Sequence, residues 1–327
     1  MTSLRPIVCV CALLGCTAGG ITSSPDLGDD AGSSSTDTPG DAPGAGPRDA
    51  PIATTADASP GSHVDASPGG TFDAAPATMA DAPASAGPDA APVSPTYFST
   101  LPPGATLPSD ATCAAAIKHR AENKGVNASY NATRGDQSLD SNFLSGDDPR
   151  ANTDLVPRVT GDFVGTTDEI LQWAACKWGV DEDMVRAQAA VESWWRQTAE
   201  GDLGTDATRC PPGHGLGVDG HPGQCPESWG VLQNRYPYEM SSWPGIGSST
   251  AFNADTAYAI WRACFEGYET WLNTVDRGET YAAGDAWGCM GRWFAGRWHT
   301  DAANGYVSKV QDYLGQRIWE TASFQEP

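Results

Sequence analysis

The chain is short of positive charge, of long apolar runs and, over its first third, of aromatic side chains. Its 327 residues contain 19 Lys and Arg against 41 Asp and Glu, which gives a formal net charge of −22. Because nucleic-acid binding depends on Lys and Arg to neutralise phosphates, this composition argues against a nucleic-acid partner. The apolar run from Ile7 to Leu14 is shorter than the about 20 residues that a membrane-spanning helix needs.

The first residues have the features of an export signal. Arg5 supplies positive charge, the short apolar run follows it, and Leu13-Leu14-Gly15-Cys16 resembles the lipobox of bacterial lipoproteins. That resemblance implies removal of residues 1–15 and acylation of Cys16, which would anchor the mature chain to a membrane of the cell envelope, facing the periplasm or the cell surface. The alternative is an ordinary secretory signal in which Cys16 is incidental, and both interpretations export the protein.

Residues 16–108 consist mainly of Ala, Pro, Ser, Gly, Thr and Asp. Such a segment cannot bury enough apolar surface to offset its loss of chain entropy, so we expect an acidic, disordered linker. The dipeptide Asp-Ala recurs in this segment every eight residues. A repeat this short and without apolar positions does not form a solenoid. We interpret it as a flexible spacer with a mean span of roughly 50 to 60 Å. Asp-Ala recurs in it at Asp41, Asp49, Asp57, Asp65, Asp73, Asp81 and Asp89.

All twelve tryptophans lie between Trp173 and Trp319, so the sequence predicts one folded domain after the spacer. We expect a polar N-terminal extension over residues 109–165 and a mainly α domain over residues 166–327. The dense Gly, Pro and Ser between residues 201 and 249 predict long loops.

Capping residues and apolar periodicity predict five helices in this domain. The predicted starts and ends are Thr167 to Gly179, Asp181 to about Gln197, a helix after Asp255 that includes Tyr258, Trp261, Phe265, Tyr268 and Leu272, a short helix capped by Asp285, and a final helix capped by Thr300 or Asp301.

Six cysteines remain when Cys9 and Cys11 are removed with the signal and Cys16 is assigned to lipid. An even number in an exported protein predicts three disulfides, with fifteen possible connectivities. The six are Cys113, Cys176, Cys210, Cys225, Cys264 and Cys289.

Cys113 is expected to tie the extension to the core. The pattern Cys210, His214, His221 and Cys225 would also suit zinc, but export favours a disulfide between the two cysteines. We therefore expect neither a metal nor another cofactor.

Glu192 is the main candidate for catalysis. It lies near the predicted end of the second helix, in Val191-Glu192-Ser193-Trp194-Trp195. The negative end of a helix dipole and the exclusion of water by tryptophans both disfavour a charged carboxylate, so we expect its pKa to be raised. A carboxyl that is protonated near neutrality can donate to a glycosidic oxygen. The alternative is a solvated surface carboxylate beside two packing tryptophans.

Three segments occur in this domain in a fixed order. They are Trp178-Gly179-Val180-Asp181 through Ala187 to Glu192-Ser193, then Ser228-Trp229-Gly230-Val231-Leu232-Gln233 with Tyr236-Pro237, and then Trp293-Phe294-Ala295-Gly296 with Tyr306-Val307-Ser308-Lys309-Val310. Together they resemble the motifs of soluble lytic transglycosylases and the related goose-type lysozymes, over about residues 166–310. The resemblance implies a lysozyme-like fold and cleavage of peptidoglycan glycan strands between N-acetylmuramic acid and N-acetylglucosamine.

The resemblance also implies roles for individual residues. Glu192 would be the general acid, and Ser193 and Gln233 would orient its carboxyl and hold the N-acetyl sugar. The remaining substrate-binding candidates are Ser228, Trp229, Gly230, Trp293 and Tyr306. The family usually has a Tyr-Asn pair where this chain has Trp293-Phe294, so the phenolic hydroxyl expected near the acid is missing there. Tyr306 is the candidate to replace it.

The reaction and the substrate have alternatives. A transglycosylase uses the substrate's own N-acetyl group, whereas an inverting hydrolase needs a second carboxylate about 6.5 to 9.5 Å away. The other possible functions are a non-catalytic peptidoglycan-binding lipoprotein, suggested by the missing Tyr-Asn pair, and a glycosidase of another amino-sugar polymer. Candidates for the second carboxylate are Asp202, Asp206, Asp219 and Glu227, and candidates for stacking on sugars are Trp194, Trp195, Trp229, Trp243 and Trp298.

Overall fold

The computed structural model describes residues 99–326, and this part of the chain is mainly α-helical with one small sheet. Its α-helices are α1 (Asp110–Ala116), α2 (Ala128–Asn131), α3 (Thr167–Trp178), α4 (Glu182–Ser193), α5 (Gly245–Ser248), α6 (Thr250–Phe265), α7 (Ala286–Ala295) and α8 (Asp301–Gln316). The strands β1 (Glu200–Gly204), β2 (Cys225–Trp229) and β3 (Asn234–Arg235) form an antiparallel sheet in the order β1-β2-β3. A π turn covers Ala151–Leu155, and 3-10 turns cover Gly125–Asn127, Val156–Arg158, Ala207–Arg209, Tyr236–Tyr238, Met240–Ser242, Thr270–Asn273, Ile318–Glu320 and Ala322–Phe324.

Helices α3 and α6 form the centre of the core, and all their residues are buried. Helix α6 packs against α3, α5 and α7, while α4 packs against α3 and α8. A helix that is covered by protein on all sides does not need a polar face toward solvent. The single apolar face predicted for α3 is therefore only part of the surface that this helix buries.

The predicted helix starts at Asp181, Asp285 and Thr300 are confirmed, because the side chain of each accepts a hydrogen bond from an amide of the first turn. Helix α3 begins one residue earlier than predicted. Thr166, and not Thr167, is its N-cap, and it forms a reciprocal capping box with the glutamate at the third helical position.

Helix α4 ends at Ser193, one turn before the predicted end near Gln197. Trp194 and Trp195 both have left-handed backbone conformations, with φ values of 57° and 62°. This backbone is costly for large side chains, and burial of the Trp195 ring, whose indole donates to a carbonyl of α4 at 2.8 Å, compensates for it. The early end places Glu192 in the last turn of α4.

Helix α6 starts after the N-cap Ser249, so Asp255 lies within it and not before it. The prediction that this helix continues to Leu272 is wrong. The chain turns at Gly267, which has a φ of 90°, and Tyr268 and Leu272 reach the core from the segment that follows. Tyr268 and Leu272 continue the helical spacing in the sequence because both side chains face the same core as α6.

The segment predicted as long loops contains the sheet. Glu200 lies opposite Trp229, and Ser228 lies opposite Arg235. The strands are short and β1 contains two glycines, so the apolar and polar alternation typical of a strand is absent from the sequence. The sheet brings β1 and the residues after β2 alongside the end of α4, where the hydroxyl of Ser193 donates to a backbone carbonyl of this segment at 2.8 Å.

The six predicted disulfide cysteines are all paired. Each bond joins two segments of the domain: the extension to α3, the loop before β2 to β2 itself, and α6 to α7. The pairs are Cys113–Cys176, Cys210–Cys225 and Cys264–Cys289. The expected roles of Cys113 and of the Cys210–Cys225 pair are thereby confirmed.

Residues 99–108 lie against the folded domain, although their composition assigns them to the spacer. The guanidinium of Arg262 donates to two carbonyls of this segment, and the Leu101 amide donates to the carbonyl of Gly179 at 3.0 Å. The polar extension of residues 109–165 likewise contributes to the core, through Phe143, Leu144, Ala151, Leu155, Val156 and Val159.

The predicted signal peptide of residues 1–15, the lipidation candidate Cys16 and the linker up to residue 98 lie outside the described residues. Within residues 99–326, no helix combines the length and apolarity needed to cross a membrane.

A buried ion pair joins α3, α6 and the extension. Lys177 and Asp255 both have fully buried side chains, and their charged atoms are 2.7 Å apart. Asp255 also accepts hydrogen bonds from the Trp178 indole at 2.7 Å and from the amides of Thr160 and Gly161 at 2.8 Å. Because four donors meet this one carboxylate, its charge is well compensated.

We expect Asp255→Ala to lower the free energy of unfolding by about 3 kcal/mol, because Lys177 loses its fully buried partner and keeps only the partly exposed Asp110, 2.9 Å away. Urea unfolding followed by tryptophan fluorescence measures the change. The exposed Asp276 provides the control, since Asp276→Ala should change the free energy by no more than about 0.5 kcal/mol. Equal effects of the two substitutions would show that the buried pair does not stabilise the fold.

Candidate active site

Glu192 lies where α4, α7 and α8 converge. The hydroxyl of Tyr306 on α8 donates a hydrogen bond to its Oε1, and the indole of Trp293 on α7 also hydrogen-bonds the carboxyl. The packing of α8 against both α4 and α7 brings these two side chains together. As a whole residue Glu192 remains partly exposed, so it is not enclosed by the core.

Burial raises the pKa of Glu192 from its ordinary 4.5 to about 7. The hydrogen bonds from Tyr306 and Trp293 favour the carboxylate and limit this rise, while the negative charge of Asp202 adds to it and the positive charge of Lys309 opposes it. Near neutral pH the carboxyl is therefore both protonated and able to release its proton.

The raised pKa was predicted, but its expected source was local. Trp194 and Trp195 follow Glu192 in the chain, and both rings pack against Phe324, with centroid distances of 4.6 and 5.1 Å. Burial causes the rise, and the side chains whose hydrogen bonds oppose it come from α7 and α8. The environment of Glu192 is set by tertiary packing more than by its sequence neighbours.

Tyr306 supplies a phenolic hydroxyl to the carboxyl of Glu192, as the sequence indicated it could. Its side chain is only 8% exposed, and its ring stacks on Phe294 with centroids 4.9 Å apart and planes at 1°. Phe294 itself is 57% exposed. The sequence analysis treated Phe294 only as a departure from a motif and missed that it presents a flat apolar face beside the acid.

One of the four candidate second carboxylates acts electrostatically on Glu192. Asp202, on β1, accepts a hydrogen bond from Ser228 and lies 3.6 Å from the guanidinium of Arg235. Its negative charge contributes to the raised pKa of Glu192.

The other three carboxylates are engaged in structural contacts. Asp206 caps a 3-10 turn, Asp219 pairs with His214 at 2.9 Å, and the buried Glu227 pairs with two arginines. Among the four, Asp202 is the one whose charge acts on Glu192, which makes it the best remaining candidate for a second acidic group.

Ser193 does not orient the acid in the way the motif resemblance implied. Its hydroxyl hydrogen-bonds the carbonyls of Val231 at 2.8 Å and Ala189 at 3.3 Å, and so ties the end of α4 to the segment after β2. It has one proton to donate, which these carbonyls take. Ser193 thus positions Glu192 through the backbone.

Gln233 and Gly230 shape the neighbouring turn. The Gln233 amide donates to the carbonyls of Ala199 at 3.1 Å and Gly230 at 2.9 Å. Gly230 has a φ of 83°, and a Cβ there would lie 2.3 Å from Nδ2 of Asn253, so only glycine fits. Gln233 remains partly exposed, with its Oε1 beside Gly201.

Most of the tryptophans proposed to stack on sugars are core residues. Trp195, Trp229 and Trp298 are at most 7% exposed. The ring of Trp229 is covered by His214 and Trp243, with centroids 4.5 and 5.3 Å away. The burial of Trp229 and its contacts with these two rings weigh against the sugar-stacking role predicted for it.

The cysteines of the alternative zinc pattern are bonded to each other. Because Cys210 and Cys225 form a disulfide, their sulfurs are not thiolates, and His214 and His221 pair with Asp219 and Glu200. Within residues 99–326, no group of three or more His, Cys, Asp or Glu side chains could hold a metal ion.

We expect Glu192 to make stability depend on pH. Its pKa is about 7 in the folded state and ordinarily 4.5, so its stabilising contribution is complete below pH 4.5 and is lost as the pH rises through 7. In urea unfolding, wild type should lose up to about 3 kcal/mol relative to Glu192→Gln between pH 4.5 and 8.

The exposed Glu279 is the matched control for this measurement. Glu279→Gln should unfold in parallel with wild type at every pH. If Glu192→Gln also did so, the pKa of Glu192 would be ordinary.

Comparisons with known proteins give no match from which a function could be transferred. The chain matches no protein-family model, no curated protein and no solved structure.

Proposed function

We propose that this protein is a peptidoglycan-cleaving enzyme with a lysozyme-like domain, and that Glu192 is its general acid. The observation that carries the proposal is a partly exposed glutamate whose carboxyl has its pKa raised by burial to about 7. General acids work best when their pKa is near the working pH. The order of the three motif segments supports the choice of substrate, the bond between N-acetylmuramic acid and N-acetylglucosamine.

The chemical step begins with proton transfer. Glu192 donates its proton to the bridging glycosidic oxygen, the bond from that oxygen to the sugar carbon breaks, and the leaving sugar departs as an alcohol. Tyr306 and Trp293 then stabilise the carboxylate that forms, because both hydrogen-bond it.

Two routes can complete the reaction. In a lytic transglycosylase the N-acetyl oxygen of the substrate attacks the sugar carbon. A hydroxyl of the same sugar then displaces that oxygen and gives its proton back to the Glu192 carboxylate, which yields an anhydro product without water. In a muramidase a second carboxylate activates water on the opposite face. Asp202 is the residue for that role, because its charge acts on Glu192.

Phe294 and Trp293 are proposed to contact the sugar beside the scissile bond. An aromatic ring matches the apolar face of a pyranose, and Phe294 offers a ring that is 57% exposed and stacked on the phenol of Tyr306. Gln233 is partly exposed and can hydrogen-bond the N-acetyl group.

The non-catalytic alternative was motivated by the missing Tyr-Asn pair. The hydrogen bond from Tyr306 to Glu192 weighs against that alternative, because the carboxyl has a phenolic partner after all. A glycosidase of another amino-sugar polymer would use the same acid. Parallel digestion of peptidoglycan, chitin and chitosan distinguishes the substrates.

The proposal includes a tether. Acylation of Cys16 and the acidic spacer would hold the enzyme to a membrane of the bacterial envelope while the domain reaches peptidoglycan strands some tens of ångströms away, on the order of the 50 to 60 Å that a flexible chain of this length spans.

Purified protein should release soluble muropeptides from peptidoglycan, and Glu192→Gln should reduce the rate by about 10² to 10⁴-fold, because it removes the transferable proton. Mass spectrometry of the products distinguishes an anhydro end from a reducing end, and therefore a transglycosylase from a hydrolase. Glu279→Gln should retain full activity. Lack of release by folded wild type would favour the binding protein.

Phe294→Ala should raise KM about fivefold to tenfold with a smaller change in kcat, because a stacking contact of about 1 kcal/mol is lost from substrate binding. Phe294→Leu keeps apolar volume over Tyr306 but has no flat ring, so its KM should stay raised, whereas Phe294→Trp should restore binding. An unchanged KM in Phe294→Ala would remove this residue from the binding site.

A further inference from the structure

A chain of buried polar side chains lies behind Glu192. Tyr258 on α6, Gln188 on α4 and Tyr306 on α8 are 1%, 2% and 8% exposed. The Tyr258 hydroxyl donates to Oε1 of Gln188 at 2.6 Å. Tyr306 hydrogen-bonds both Gln188 and Glu192, so the chain connects the core to the acid.

The hydrogen bond from Tyr306 to Glu192 fixes the other donors and acceptors of this series. An amide accepts through its oxygen and donates through its nitrogen. The Tyr258 hydroxyl donates to Oε1 of Gln188 and the Tyr306 hydroxyl donates to Glu192, so the Gln188 nitrogen is the group that donates to the phenolic oxygen of Tyr306. This agrees with the pKa of Tyr306, which burial and Glu192 raise and the Gln188 hydrogen bond lowers. The single hydroxyl proton of Tyr306 is then directed to Oε1 of Glu192.

We propose that Tyr258 and Gln188 are positioning residues for the acid: they direct the Tyr306 hydroxyl to Oε1 of Glu192 and leave the transferable proton on Oε2. The catalytic role of that proton rests on the proposed function, whereas its placement does not. The Trp293 hydrogen bond is compatible with this arrangement, because a protonated carboxyl oxygen still accepts through its remaining lone pair.

The positioning has a consequence for the pKa of Glu192. The Tyr306 hydrogen bond lowers it, so losing this bond should raise it. In Tyr258→Phe the Gln188 amide is free to turn its oxygen toward Tyr306, which can then donate to Gln188 instead of Glu192. The other charged groups that act on Glu192 are Asp202 on β1 and Lys309 on α8, and this substitution touches neither.

The experiment titrates the Glu192 carboxyl by carbon-13 NMR, with its resonance assigned by Glu192→Gln. Tyr258→Phe should raise the pKa of Glu192 by about half to one pH unit, the equivalent of one ordinary hydrogen bond. Tyr306→Phe should raise it at least as much. Adding Tyr258→Phe to Tyr306→Phe should cause no further rise, because Tyr258 acts through Tyr306.

Tyr281→Phe is the matched control. Tyr281 is also a buried tyrosine, and its hydroxyl donates to the Cys264 carbonyl, so it is not part of the hydrogen-bonded series from Tyr258 to Glu192. It should cost similar stability and leave the pKa of Glu192 unchanged. An unchanged pKa in Tyr258→Phe, an equal rise in Tyr281→Phe, or additive rises in the double variant would each overturn the proposal.

Two further measurements do not depend on the same variant or on the same readout. In wild type, the Tyr306 hydroxyl proton should show nuclear Overhauser contacts to the Glu192 side chain, and contacts to Gln188 alone would contradict the proposal. If the enzyme turns over peptidoglycan, Tyr258→Phe should move the alkaline limb of kcat to higher pH with little change in KM. Absence of turnover would remove the proposed function, while the NMR titration would still decide the positioning.

Discussion

The site depends on one constraint: the carboxyl of Glu192 is held where three helices meet, with little water around it. Burial disfavours its charged form, and the hydrogen bonds from Tyr306 and Trp293 favour it. The balance of these opposed effects places the pKa near neutrality. The same burial makes the charged acid a source of instability at alkaline pH, as is usual for groups that are kept ready for proton transfer.

The surrounding fold maintains that convergence. Helix α4 has to end at Ser193, and two left-handed tryptophans and a hydroxyl contact to the segment after β2 produce this end. The disulfide Cys264–Cys289 joins α6 to α7, and the pair of Lys177 and Asp255 joins α6 to α3. Because interiors are closely packed, a shift in any of these elements changes the distance between the acid and its partners.

Local chemistry made much of the helical framework predictable. Caps at Asp181, Asp285 and Thr300 and the glycine end of α3 act within a few residues, so the sequence alone shows them. The sheet, the end of α6 and the packing of residues 99–108 were missed. These features depend on contacts between distant segments, which override local composition.

At the site, the sequence by itself singled out Glu192, Tyr306 and Trp293. It also indicated which cysteines would pair, but it predicted the partners only for Cys210 with Cys225. Only the tertiary structure decided that Trp229 is buried, that Ser193 bonds the backbone and that Phe294 is exposed. The tertiary structure alone showed that hydrogen bonds connect Tyr258 through Gln188 and Tyr306 to Glu192. The physical reason is distance along the chain: a carboxyl's pKa and hydrogen-bond partners come from side chains on other helices, and helix packing brings those together.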